Sequence, residues 1–141
     1  MRGGIAALLM IGALMGGCAR PGTKTVEWEG HFLREVRSLY EMPGALQSAL
    51  GVGRSGLEGV ADRGRPYNAT DVVDSSLPMR RLLAAGGDSL VWIVALERGG
   101  RAYSVEVFEF APQEPTPKQT WVLNNRPKTF EQVLRNISRR V

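Results

Sequence analysis

"MRRLLAAGGDSLVWIVALERGGRAYSVEVFEF", residues 79–110, decides the fold. Three runs rich in apolar, β-branched and aromatic residues (79–85, 90–96 and 102–110) are separated by Gly86-Gly87-Asp88-Ser89 and by Glu97-Arg98-Gly99-Gly100-Arg101. Glycine clusters between such runs punctuate strands, so the pattern predicts a three-stranded antiparallel meander. "LVWIVAL", residues 90–96, is apolar at every position, as a central strand buried on both faces requires. In the third run Tyr103, Val105 and Val107 alternate with Ser104 and Glu106, and then Phe108 and Phe110 take the other parity. That switch predicts either a bulge or a sheet end covered on both sides.

Working outward, "QTWVL" (119–123) follows the stiff polar loop "PQEPTPK" (112–118) and reads as a fourth strand. Thr129 then offers a helix cap, with Gln132 three residues later completing a capping box. Phe130, Val133, Leu134 and Ile137 make one apolar stripe, and Arg135, Arg139 and Arg140 lie where the helix dipole favours cations. Upstream, Phe32, Leu33, Val36, Leu39 and Tyr40 recur at helical spacing over 31–41, Pro43-Gly44 interrupts them, and "ALQSAL" (45–50) resumes the pattern briefly. Residues 51–77 are glycine-rich and without a sustained period, which marks a functional or mobile connection, or one that hides short elements. The expectation is an α+β fold: an antiparallel β-meander of about four strands, with an N-terminal and a C-terminal amphipathic helix packed on one face.

The 141-residue chain has a formal net charge of +4. Its only lysines are Lys24, Lys118 and Lys128, so arginine carries most of the positive charge. No block of five or six like charges occurs, and a nucleic-acid partner is not expected. Cys18 is the only cysteine.

Cys18 ends a distinctive start. Met1-Arg2 is followed by an uncharged run with an apolar stretch from Ile5 to Met15, then Gly16-Gly17-Cys18. These are the parts of a secretory signal peptide, and the run is too glycine-rich and short to span a bilayer comfortably, which takes ~20 apolar residues. The small residues directly before a cysteine resemble the lipobox of bacterial lipoproteins, with Met15 standing where that pattern usually has leucine. The resemblance covers only about the first twenty residues. It implies a signal peptide over 1–17, a diacylglyceryl group on the Cys18 thiol, and cleavage just before it. Ala19, not aspartate, follows the cysteine, which by the same resemblance implies the periplasmic face of the outer membrane. Cleavage by ordinary signal peptidase after Ala19, a retained membrane helix, and an odd thiol free for intermolecular pairing are the competing readings. Residues 18–26 read as the lipidated cysteine and a short tether, and 27–141 as a single domain; about 120 residues can bury a core without disulfides.

Sites of chemistry are sparse. "GVGRSG" (51–56) formally matches G-x-G-x-x-G, but helical spacing precedes it and a poor helix former follows, the reverse of a dinucleotide turn. His31, the only histidine, lies near Glu27 and Glu29; one histidine is thin support for acid–base chemistry or for a metal, and no metal is expected. Ser55 lacks the final glycine of G-x-S-x-G. Asp62, Asp71, Asp74 and Asp88 could pair as catalytic carboxylates, or act as turn and cap residues. In "DRGRPYNAT", Arg63, Arg65, Tyr67 and Asn68 form the best recognition candidate, suited to an anionic glycan, a lipid phosphate or a partner's acidic loop. Trp92 reads as core, while Trp28 and Trp121 are open.

The expectation is therefore a small envelope lipoprotein that acts as a non-catalytic binding or assembly module. It contacts the membrane through its lipid anchor, binds an envelope protein or glycan, and carries no cofactor beyond the covalent lipid on Cys18. The alternative is a carboxylate-dependent envelope hydrolase using residues 58–74, for example on peptidoglycan.

Overall fold

The computed structural model describes residues 23–138. Cys18, the apolar run before it, Arg139 and Arg140 lie outside the described residues. The strands are β1 (Thr25–Trp28), β2 (His31–Val36), β3 (Val60–Ala61), β4 (Arg80–Gly87), β5 (Trp92–Arg98), β6 (Ser104–Phe110) and β7 (Gln119–Leu123). The helices are α1 (Gly44–Leu50) and α2 (Phe130–Ser138). All seven strands form one mostly antiparallel sheet in the order β1-β2-β4-β5-β6-β7, with β3 added in parallel at the Arg80 end of β4.

The meander over β4, β5 and β6 has the expected form, with β5 central and buried along six of its seven residues. The parity switch in β6 is not a bulge, because its registers with β5 and β7 run without a shift. Both faces are covered instead: Val105 and Val107 are buried on one side, Phe110 on the other. The irregularity lies in β4, between Leu82 and Ala84.

Three parts of the expected fold are corrected. The sheet has seven strands, not about four. No helix spans 31–41: residues 31–36 are β2, paired with β1 on one side and β4 on the other. The spacing misled because Leu33 and Val36 are both buried, but on opposite faces of a strand; Phe32 and Tyr40 are about two-thirds exposed, and Leu39 is buried in a short 3-10 turn beyond the strand. Strand pairing and two-sided burial outweigh the local helical pattern. The third correction is to the layers. α2 packs its Phe130, Val133, Leu134 and Ile137 against Leu33, Ala84, Ile93 and Val105, whereas Leu46 and Leu50 of α1 lie with Val36, Val94, Leu96 and Phe110 on the other face. The sheet is sandwiched between the two helices.

Residues 51–77 hold a short 3-10 turn (Gly56–Glu58) and β3. Gly51 caps the carboxyl end of α1 in the left-handed conformation, φ 86°, where a β-carbon would also lie 2.6 Å from the Glu58 carbonyl oxygen. "GVGRSG" thus runs out of a helix rather than into one, and presents no helix amino terminus to a phosphate. Close packing explains the Gly86-Gly87 pair as well. A β-carbon on Gly86 would meet Phe130 Cε1 at 2.6 Å, and one on Gly87 would overlap the Trp92 indole.

At the other end of the chain, the Thr129 hydroxyl accepts from the Gln132 N–H at 3.2 Å. Gln132 Oε1 accepts from the Lys128 N–H at 2.7 Å. The expected capping box is present, displaced by one residue on its return bond.

A candidate anion-binding cleft

The bulge in β4 positions the first candidate residue. β3 pairs with β4 only at Arg80 and Arg81, and β2 only at residues 85–87, so the edge between them lacks a partner strand. The Arg63 side chain enters that notch, and its Nη2 donates to the Leu83 carbonyl at 2.8 Å. Glu35 Oε1 lies 3.7 Å from the same nitrogen. The guanidinium is steered by backbone geometry and only loosely neutralised.

Arg81 is held more tightly. Its Nε and Nη2 converge on Glu97 Oε1 at 2.7 and 2.6 Å, its Nη1 donates to the Arg65 carbonyl at 3.2 Å, and its Cζ sits 4.3 Å over the Tyr67 ring. Glu97 is buried, and its Oε2 accepts from the Tyr103 hydroxyl at 3.2 Å. Arg126 in turn covers the Tyr103 ring at 4.3 Å. Burial, then the Glu97 charge, then the hydrogen bond to it, push Tyr103 up to about 12. Burial followed by the Glu97 charge raises Tyr67 too. Both hydroxyls stay protonated beside a buried carboxylate.

Arg63, Arg81, Glu97 and Lys128 line one cleft of about 260 Å³. A second, of about 300 Å³, is lined by Thr23, Lys24, Glu35, Arg37 and again Arg63. The two share Arg63 and so adjoin. Of the cations lining these clefts, Arg37 and Lys128 are exposed and have no carboxylate partner among the described residues; Arg65 and Arg101 are likewise exposed and unpaired but line neither cleft. Guanidinium and ammonium groups gathered in this way suit a phosphate or carboxylate. A larger groove, about 600 Å³, runs between β1 and α2. Lys24, Glu131 and Arg135 cross-pair along its wall, Lys24 to Glu131 at 2.8 Å, and Glu27 and Glu29 line it without a cation partner among the described residues. Its surplus is negative, which makes it the weaker site for an anion.

The structure brings together three of the four residues expected to recognise a ligand. Arg63 lines the cleft, Arg65 lends its carbonyl to Arg81, and Tyr67 supports Arg81 from below. Asn68 has another task. It is buried, its Nδ2 donates to the Asp74 and Leu77 carbonyls, and its Oδ1 accepts from the Asp74 N–H at 2.7 Å. Its whole amide is spent on shaping the loop, which closes so tightly over Gly99 that a β-carbon there would overlap the Asn68 carbonyl oxygen. Arg81, Glu97, Lys128, Tyr103 and Arg126 were not singled out from sequence. The register Arg81↔Glu97 and the bulge bring them to the site, and neither is readable without the pairing.

The aspartates are dispersed. Asp62 accepts from the Ser38 hydroxyl at 2.6 Å and from the N–H groups of Leu39 and Arg63, tying the turn at Leu39–Glu41 to β3. Asp71 is exposed. Asp74 accepts from the Ser76 hydroxyl and N–H, the two bonds that hold its carboxyl below the usual range. Asp88 accepts from Leu90 and Val91 N–H, both at 2.7 Å, and lies 2.7 Å from His31 Nδ1. His31 therefore meets Asp88 rather than Glu27 or Glu29. Ser55 stands before the Gly56–Glu58 turn without capping it. Trp28, Trp92 and Trp121 are all buried, and Trp28 Nε1 donates to the Ser138 hydroxyl at 2.8 Å.

Among the described residues, no cluster of three or more His, Cys, Asp or Glu side chains could hold a metal ion. No described helix is long and apolar enough to cross a membrane. Comparison with protein-family models, with curated proteins and with solved structures gives no match.

Proposed function

We propose that this chain is a small envelope lipoprotein, held to the membrane through Cys18, whose domain is a non-catalytic module that binds an acidic group. The observation that carries the reading is the junction at Arg63. One guanidinium, aimed by the Leu83 carbonyl and lightly paired with Glu35, joins two clefts that also present Arg37, Arg81 and Lys128. Pre-oriented guanidinium donors favour a charged acceptor because little side-chain freedom is lost on binding. Of the carboxylates the hydrolase reading draws on, Asp62 and Asp74 are engaged by hydroxyl and backbone donors, and Asp71 is exposed and lines neither cleft. That supports binding over hydrolysis.

Calorimetric titration of the wild-type protein with glycerol 1-phosphate tests this. Saturable binding that weakens at least about tenfold in Arg63→Ala and in Lys128→Ala is expected, since a charge-assisted contact contributes ~1.5–3 kcal/mol. No saturable binding, or binding indifferent to both changes, would overturn the proposal.

A further inference from the structure

We infer that the acidic group this module meets is the phosphate headgroup layer of the membrane that holds Cys18, and that the domain lies with the Arg80 end of its sheet against anionic lipid. The inference rests on the lipoprotein reading of Cys18 and adds an orientation to it.

Two independent features support it. The first is where the chain enters the domain. Running back from Thr25, the backbone passes Lys24, whose carbonyl accepts from the Glu35 N–H at 2.8 Å, and reaches Thr23 in the wall of the cleft formed by Arg37 and Arg63. Four residues lie between Cys18 and Thr23, five chain steps in all, so the lipid attachment point is within about 18 Å of this cleft. The basic cleft is the part of the domain that the anchor keeps nearest the bilayer.

The second is a charge gradient along the strands. At the Arg80 end the acids Glu97 and Glu106 are paired with Arg81 and Arg98, and Asp62 is taken up by Ser38 and backbone N–H groups. Asp71 and Asp74 lie on the outer loop that Asn68 holds. Exposed Glu41 and Glu58 at that end are offset by Arg54 and Arg126, and the surplus that remains is positive: Arg37, Arg65, Arg101 and Lys128, beside the loosely paired Arg63. The Gly87 end presents the opposite sign through Glu27, Glu29, Glu109 and Glu114, against Arg34 and Lys118, with Asp88 taken up by backbone N–H groups and His31. A domain polarised in this way turns its basic end toward an anionic surface and its acidic end away. Clusters of four or more basic residues are what such surfaces attract, and the attraction acts within a screening length of ~10 Å at 0.1 M salt.

The test uses the intact lipoprotein purified from membranes, its diacylglyceryl thioether on Cys18 verified by mass, and reconstituted into vesicles. With Cys18 occupied, a single introduced thiol is labelled uniquely, at Asn125→Cys beside the basic cleft or at Glu114→Cys on the opposite end. Energy transfer to headgroup-labelled lipid should be stronger from position 125 than from 114 in vesicles containing phosphatidylglycerol. The contrast should vanish in pure phosphatidylcholine, at high salt, and in the combined variant Arg37→Gln, Arg65→Gln, Lys128→Gln. These three side chains are exposed and without carboxylate partners, so the fold is retained, and each lost charge weakens docking about fivefold. Equal transfer from both positions, or a contrast indifferent to phosphatidylglycerol, would overturn the inference while leaving the anchor intact. Stronger transfer from 114 would also overturn it, and would turn the basic cleft toward an acidic soluble partner. Absence of the thioether mass would instead remove the lipoprotein reading, and this inference with it.

Discussion

Arg81 and Glu97 are register partners across β4 and β5, and two guanidinium donors of the first converge on a single oxygen of the second, at 2.7 and 2.6 Å. The other oxygen is left for the Tyr103 hydroxyl. Replacing Glu97 by Gln removes the charge from a buried site and exchanges one of its two oxygens for an NH2, so either Arg81 or Tyr103 loses its acceptor. A loss of about 2 kcal/mol in urea unfolding is expected, below the 3–5 typical of a wholly buried pair because Arg81 reaches solvent.

The same substitution has a spectroscopic signature. Tyr103 ionises at about 12, raised first by burial and then by Glu97. In Glu97→Gln the tyrosinate absorbance should appear at lower pH, yet still above the ordinary value of ~10 because burial remains. A folded pKa raised above the unfolded one gives stability that is fully present below pH ~10 and is lost as pH rises toward 12. Alkaline unfolding should therefore be shallower over that window in the variant.

Gly86 and Phe130 share one space. Phe130→Ala empties a fully buried site and should cost about 3–5 kcal/mol. Gly86→Ala alone should cost about 1–3 kcal/mol, as its methyl would press on the ring. In the double variant the methyl gains room, so the combined loss should fall short of the sum by about 1 kcal/mol. Strict additivity in thermal or urea unfolding would mean that the ring does not dock there.

Asp88 links three elements of the Gly87 end. Burial opposes its ionisation, but the N–H groups of Leu90 and Val91, then His31, outweigh burial and hold its carboxyl below the usual range. A depressed folded pKa gives stability present above the unfolded value of ~3.9 and lost as pH falls through the folded one. Asp88→Asn should thus be destabilising at neutral pH, with a deficit that narrows on acidification below pH ~4.

Asn68→Ala should open the loop that it ties. Two carbonyls and an N–H lose their partner, at about 1–3 kcal/mol, and limited proteolysis should cut within 69–77. Unchanged stability would contradict its structural role.

Much of the sheet and little of the site was legible in the sequence. The meander and β7 could be read because glycine clusters and proline loops bound their apolar runs. α2 could be read because Thr129, Gln132 and the stripe at 130, 133, 134 and 137 agree. β1 and β2 were hidden by coincidence, Leu33 and Val36 mimicking one helical face while serving two sheet faces. The Glu29-Gly30 turn that joins them, with φ of 49° and 83°, is the two-residue hairpin signal that could have revealed them. Arg63, Arg65 and Tyr67 stood out as arginines beside an aromatic. Arg81, Glu97 and Lys128 did not, because only the pairing of β4 with β5 and the entry of α2 bring them to the same cleft.

Labelled palmitate incorporation, followed by membrane fractionation of the wild type and Cys18→Ala, tests the central claim most directly. The account predicts label on the wild type alone and release of Cys18→Ala from the membrane fraction. Unlabelled wild type, or Cys18→Ala that stays in the membrane, would contradict a lipid-anchored module.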